Sequence, residues 1–177
     1  VINLYYTKRG DLSYTVNYLE KGTNEVLHEP KTVDNQTFKT VITSSDEVID
    51  IDGYNYDSVD KETLTIGTAE NVINIYYTKR GDLSYTVNYL EKGTNKQLQA
   101  PKTVGNQELG TVIKASDEII QIIGYNYDSS DKEEITIGTG NNIINLYYTI
   151  KDPIITNPQI TKDASIEVIQ STSQEIT

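Results

Sequence analysis

The sequence predicts a mainly β chain made of tandem repeats, and three observations predict it. The string YYTKRGDLSYTVNYLEKGTN occurs twice, at residues 5–24 and 76–95. The related strings VINLYYT, VINIYYT and IINLYYT begin at Val1, Val72 and Ile143, which sets a period of 71 residues. Aligning residues 11–78 with 82–149 gives 48 identities in 68 positions, the mark of a repeat architecture. Second, Leu12, Tyr14, Val16 and Tyr18 alternate with Ser13, Thr15 and Asn17, the period of a half-buried strand. Third, 14 Tyr stand against one Phe and no Trp, beside abundant Thr, Ile, Val and Asn, a composition that favours strands over helices.

Taken in order, residues 1–10 read as the closing strand of a preceding repeat, residues 11–80 as repeat one and 81–150 as repeat two. By that reading the chain is a piece of a longer array. Within repeat one, the strand from Leu12 runs into the turn Lys21-Gly22-Thr23-Asn24, where Gly supplies positive φ. Val26–Val33 follows as a weaker strand in which Pro30 marks an edge or a bulge. Residues 34–39 read as a loop, and Ser44-x-x-Glu47 as a capping box opening a short helix before Val48, Ile49 and Ile51. Gly53-Tyr54-Asn55-Tyr56 opens another strand, 57–61 is a polar turn, 62–66 returns, and Val72–Thr78 closes the unit. Residues 151–177, with two prolines and an alternating Ala164-Ile166-Val168 stretch, read as a linker and the start of a further β module.

Exchanges between the copies separate inside from outside. Phe38/Leu109, Val48/Ile119, Leu64/Ile135, Val72/Ile143 and Ile75/Leu146 swap one apolar side chain for another and are expected in the core. Glu25/Lys96, Lys39/Gly110 and Thr43/Lys114 are expected to face solvent.

Composition excludes several function classes. The formal charge is −11, which argues against nucleic acid and anionic lipid, since both need clustered Lys and Arg. No stretch is apolar enough for membrane insertion. There is no Cys, hence no disulfide and no thiolate chemistry. The one His, His28, becomes Gln99 in the second copy and reads as an exposed strand residue; nothing in the sequence points to an enzyme.

The order Tyr14-x-Val16-x-Tyr18, Gly22, Ile51-x-Gly53-Tyr54 and Val72-x-x-x-Tyr76-Tyr77-Thr78 resembles the MucBP (mucin-binding protein) repeat of Gram-positive surface adhesins. It recurs as Tyr85-x-Val87-x-Tyr89, Gly93, Ile122-x-Gly124-Tyr125 and Ile143-x-x-x-Tyr147-Tyr148-Thr149. Asp52 and Ile123 stand where the family usually has Pro before the Gly-Tyr pair. The resemblance implies ubiquitin-like β-grasp repeats, an α+β variant of the mainly β class, strung as an elongated monomeric rod. It also implies an extracellular place on a bacterial cell wall and host mucin or other glycoprotein glycans as partners. A structural stalk that projects another domain is the alternative.

Three kinds of stretch, each present twice, could carry chemistry. Tyr54-Asn55-Tyr56-Asp57 and the identical Tyr125-Asn126-Tyr127-Asp128 combine aromatic faces with Asn and Asp groups suited to sugar hydroxyls, and they are the candidate ligand-binding residues. Packing of both rings against the core is the competing reading. Asp57-x-x-Asp60-x-Glu62 and Asp128-x-x-Asp131-x-Glu133 offer oxygen ligands to calcium but lack the Gly and terminal Glu of an EF-hand loop, so a solvated turn is the better reading. No other cofactor is implied. Arg9-Gly10-Asp11 and Arg80-Gly81-Asp82 match the triplet that integrins read. The second lies in so short a joint that it is expected to be a shielded turn between repeats rather than a host-cell signal.

Overall fold

The structure is a computed structural model and describes residues 1–151; the expected module beyond Lys151 lies outside the described residues. Each repeat holds six strands. In repeat one they are β1 (Leu12–Glu20), β2 (Val26–Gln36), β3 (Val41–Thr43), β4 (Tyr54–Val59), β5 (Thr63–Thr65) and β6 (Val72–Lys79). In repeat two they are β7 (Leu83–Glu91), β8 (Gln97–Gln107), β9 (Val112–Lys114), β10 (Tyr125–Ser130), β11 (Glu134–Thr136) and β12 (Ile143–Ile150).

A four-stranded mixed sheet in the order β2-β1-β6-β4 forms repeat one, and β8-β7-β12-β10 repeats it. The central pair β1·β6 is parallel, with Val16 opposite Ile73 and Tyr18 opposite Ile75; both outer strands are antiparallel. The strand alternation makes this sheet one-sided. Tyr14, Val16 and Tyr18 from β1 meet Ile73, Ile75 and Tyr77 from β6 on the inner face, all at most 5% exposed. A short antiparallel pair, β3·β5, closes over that face with the buried Leu64, and Ile66 just after β5 is buried with it. Where the β-grasp expectation calls for a helix on the sheet, these repeats place this strand pair and one 3-10 turn, Ser44–Glu47.

That turn corrects the capping-box expectation. Its N-cap residues are Thr43 and, in repeat two, Lys114, and neither makes a side-chain cap. Glu47 points inward instead, where the Tyr14 hydroxyl donates to it at 2.8 Å and Lys31 pairs with its other oxygen. Pro30 behaves as expected. It lies in edge strand β2, within the register shift between the pairs Val16–Lys31 and Tyr18–His28. The turn after β1 takes its positive φ at Gly22 and Asn24. His28 is an exposed β2 residue standing edge-on to Tyr18.

Of the expected core exchanges, Leu64/Ile135 and Ile75/Leu146 are buried. Phe38/Leu109 and Val72/Ile143 are half-buried, and Ile119 is exposed while Val48 is half-buried. Val72 falls on the outer face because the strand period sends Ile73 inward. The three polar exchanges all face solvent. Residues 1–10 match the closing strand in sequence but form no strand here, since β1 is already paired on both sides. Among the described residues no helix is long and apolar enough to cross a membrane.

Candidate functional site

The Tyr-Asn-Tyr-Asp segments open β4 and β10, each at the edge of its sheet. Tyr54 pairs in register with Lys79 and Tyr56 with Tyr77; the register then slips, leaving Asp57 as a bulge. Tyr54 is half-buried against the core, and burial raises its hydroxyl pKa. Tyr56 stands edge-on to Tyr77, at 6.3 Å between centroids, and stays about half exposed. Tyr127 repeats this on Tyr148 at 5.8 Å, while Tyr125 packs at the core rim. Asn55 and Asn126 are exposed.

Asp57 and Asp128 are engaged within the protein. Lys21 and Ser58 both donate to Asp57, at 2.5 and 2.6 Å, and these hydrogen bonds hold its pKa below the ordinary carboxylate value. Lys92 and Ser129 do the same for Asp128. Asp60 takes the backbone and side-chain N–H groups of Asn74, and Asp131 those of Asn145. Of the carboxylates weighed as calcium ligands, the four aspartates thus have separate protein partners. Among the described residues no group of three or more such side chains is placed to hold a metal.

Structure adds a feature that the spacing of residues did not reveal. A cleft of about 550 Å³ lies beside the junction of the repeats, lined by Asp50, Ile51, Asp52, Gly53, Tyr54, Asn55, Arg80 and Asp82. It unites two of the predicted binding residues, Tyr54 and Asn55, with the Arg-Gly-Asp joint. Tyr56 and Asp57 are not among its lining residues. Tyr127 instead lines a different cleft of about 510 Å³, with Lys114, Ile119, Glu133 and Glu134.

The junction itself is tightly specified. The Arg80 N–H donates to the Gly53 carbonyl, and its own carbonyl accepts from the Leu109 N–H, each at 2.9 Å. One peptide residue thereby bridges repeat one to repeat two. Leu109 sits directly over Gly53, where an added Cβ would lie 2.7 Å from its Cδ2. The Thr139 hydroxyl donates to Asp52 at 2.7 Å from the other repeat. A Cβ there would have to displace the end of the Leu109 side chain, and the φ of +82° favours glycine.

The Arg-Gly-Asp expectation needs correcting in one respect. Gly81 and Asp82 are exposed rather than shielded. The charged ends of the joint, however, face each other: Arg80 donates through Nε and Nη2 to the two Asp82 oxygens, both at 2.9 Å. Arg9 and Asp11 make the same pair. In both cases the hydrogen bonds lower the Asp pKa and raise that of Arg.

Asp50, Asp52 and the buried Glu47 were missed as participants. A signal for the first two was present. Asp50 becomes Gln121 and Asp52 becomes Ile123, acidic residues lost in the second copy beside an otherwise identical block.

No protein-family model and no curated protein matches this chain. Among solved structures it is similar to domains 3–4 of the Streptococcal High Identity Repeats in Tandem (SHIRT) of a cell surface protein. That likeness has 15% identity, 79% of this chain and 98% of the other covered, and a TM-score of 0.32. It is also similar to Mub-RV, at 11% identity, 80% and 100% coverage and a TM-score of 0.29. A type 2 repeat of the mucus binding protein MUB from Lactobacillus reuteri matches at 12% identity, 79% and 100% coverage and a TM-score of 0.28.

Proposed function

We propose that this chain is a non-enzymatic adhesion segment of a Gram-positive cell-wall protein, whose tandem repeats (11–80 and 81–150) contact glycans of host mucins or other glycoproteins. The MucBP-like residue order motivates this reading. The observation that carries it is the pair of identical Tyr-Asn-Tyr-Asp strands, each at an exposed sheet edge beside an open cleft. Half-exposed tyrosines and exposed amides at a sheet edge suit a ligand rich in hydroxyls and apolar ring faces.

The test is retention of the whole chain on immobilised mucin and on a glycan array. Binding above that of an acidic, non-adhesive protein of similar charge supports adhesion; no retention on either surface refutes it. A stalk role has one specific observation in its favour. The Arg80 peptide bridge and the Leu109–Gly53 contact hold the joint with few free torsions, as a spacer requires. A stalk would show no retention while still setting the distance of another domain from the wall.

A further inference from the structure

We infer that the binding unit of this chain is the seam between its repeats, not the repeat: the cleft of Asp50, Asp52, Tyr54, Asn55, Arg80 and Asp82 is one site for a neutral oligosaccharide. This deepens the glycan reading above and rests on it.

The two repeats carry the same Tyr-Asn-Tyr-Asp strand, so a site built from that strand alone would occur twice. The surroundings of the strand are not the same. Where repeat one has Asp50, Asp52 and Arg80, repeat two has Gln121, Ile123 and Lys151. The wall of the cleft also depends on a following repeat. Gly53 is buried beneath Leu109 of repeat two. Thr139 reaches across from repeat two and orients the Asp52 carboxylate. Repeat two therefore keeps the strand but has no carboxylate at the positions of Asp50 and Asp52.

The lining selects a ligand class. Asp50, Asp52 and Asp82 accept hydrogen bonds from hydroxyls, and the Asn55 amide both donates and accepts. Arg80 commits Nε and Nη2 to Asp82, and its Nη1 has no protein partner among the described residues. Three carboxylates against one guanidinium leave the cleft negative, in a repeat that already carries 13 acidic and 6 basic residues over 11–80. Sialylated or sulfated sugars are repelled by that field, while neutral sugars meet only acceptors and donors. Its volume falls in the range of about 300 to 1,000 Å³ typical of small-ligand sites, enough for a short oligosaccharide.

The identical strands provide an internal control. The intact chain is screened on an array that pairs each neutral mucin-type oligosaccharide with its sialylated and sulfated forms, and the strongest neutral hit is titrated calorimetrically. The expected result is one site per chain, with Asn55→Ala weakening affinity about tenfold, the loss of roughly one buried hydrogen bond. Asn126→Ala, at an equally exposed position, is expected to leave affinity within about twofold. Two equivalent sites, or equal losses from both variants, overturn the seam and leave adhesion standing. Binding restricted to acidic glycans does the same. Saturation of the cleft by a lysine-rich peptide in place of any sugar overturns the seam as a glycan site; silence on the whole array with retention on immobilised mucin overturns the seam alone, and silence on both surfaces removes both readings. Circular dichroism of both variants confirms that the fold is retained.

Discussion

Ser44 is fully buried and its hydroxyl has no hydrogen-bond partner, while the same position in repeat two is Ala115. Burying an unpaired hydroxyl costs about 1 to 3 kcal/mol. Ser44→Ala is therefore expected to stabilise repeat one by about 1 kcal/mol, read as a higher urea midpoint with an unchanged slope. The capping-box pattern misled here because the alternative partner of Glu47 is distant in sequence: Tyr14 lies 33 residues away. Tyr14–Glu47–Lys31 and its twin Tyr85–Glu118–Lys102 were illegible for the same reason. They make stability depend on alkaline pH. Burial first, then the hydrogen bond to the carboxylate, pushes Tyr14 and Tyr85 up to about 12 from the ordinary tyrosine value of 10. A raised pKa means that the stabilisation is complete below pH 10 and is lost as pH climbs toward 12. Each tyrosine contributes about 2 to 3 kcal/mol over that window. Lys31 and Lys102 are shifted in the same direction. The melting temperature is expected to fall steeply between pH 10 and 12, and Tyr14→Phe with Tyr85→Phe should flatten that fall. An unchanged slope would count against these two groups as its source.

Strands with strong alternation were legible in the sequence; strands defined by their neighbours were not. β1 and β6 alternate over 9 and 8 residues and were recognised. β3 has only three residues and exists because Ile42 pairs with Leu64 in β5, a contact that local pattern does not encode. β4 runs on through Val59, into the turn expected at residues 57–61, because the bulge at Asp57 absorbs the change of period. The parallel β1·β6 pair depends on a residue whose role was equally invisible, Asn71. Its side chain accepts from the Gly67 N–H at 2.7 Å and donates to the Ser13 and Gly67 carbonyls, while its own carbonyl takes the Thr15 N–H. It thus ties the loop before β6 to the start of β1, and Asn142 does the same in repeat two. Asn71→Ala should destabilise repeat one by about 1 to 3 kcal/mol, since it leaves the Gly67 and Ser13 groups without this partner. Hydrogen exchange checks it: the amide of Gly67, which loses its side-chain acceptor, should lose protection well before the amides of the β1–β2 hairpin do.

At the scale of the molecule, the duplicated string first suggested a recognition triplet. The structure assigns it to a joint whose central residue bonds to both repeats. Part of the proposed cleft, Tyr54 and Asn55, was legible because an identical aromatic-amide strand in two copies is visible in one sequence. The rest was not. Asp50, Asp82 and Arg80 become neighbours only when β4 folds back alongside β6 and sets the Gly53 carbonyl against the Arg80 N–H. The sequence by itself determined the number of repeats, their period, the central strands and the acidic, cysteine-free surface, because each of these is written in residues close together in the chain. Only the tertiary structure decided that Leu109 covers Gly53, that Glu47 turns inward to Tyr14, and that the two identical strands sit in different surroundings. Those outcomes depend on contacts between residues tens of positions apart, which local periodicity cannot register.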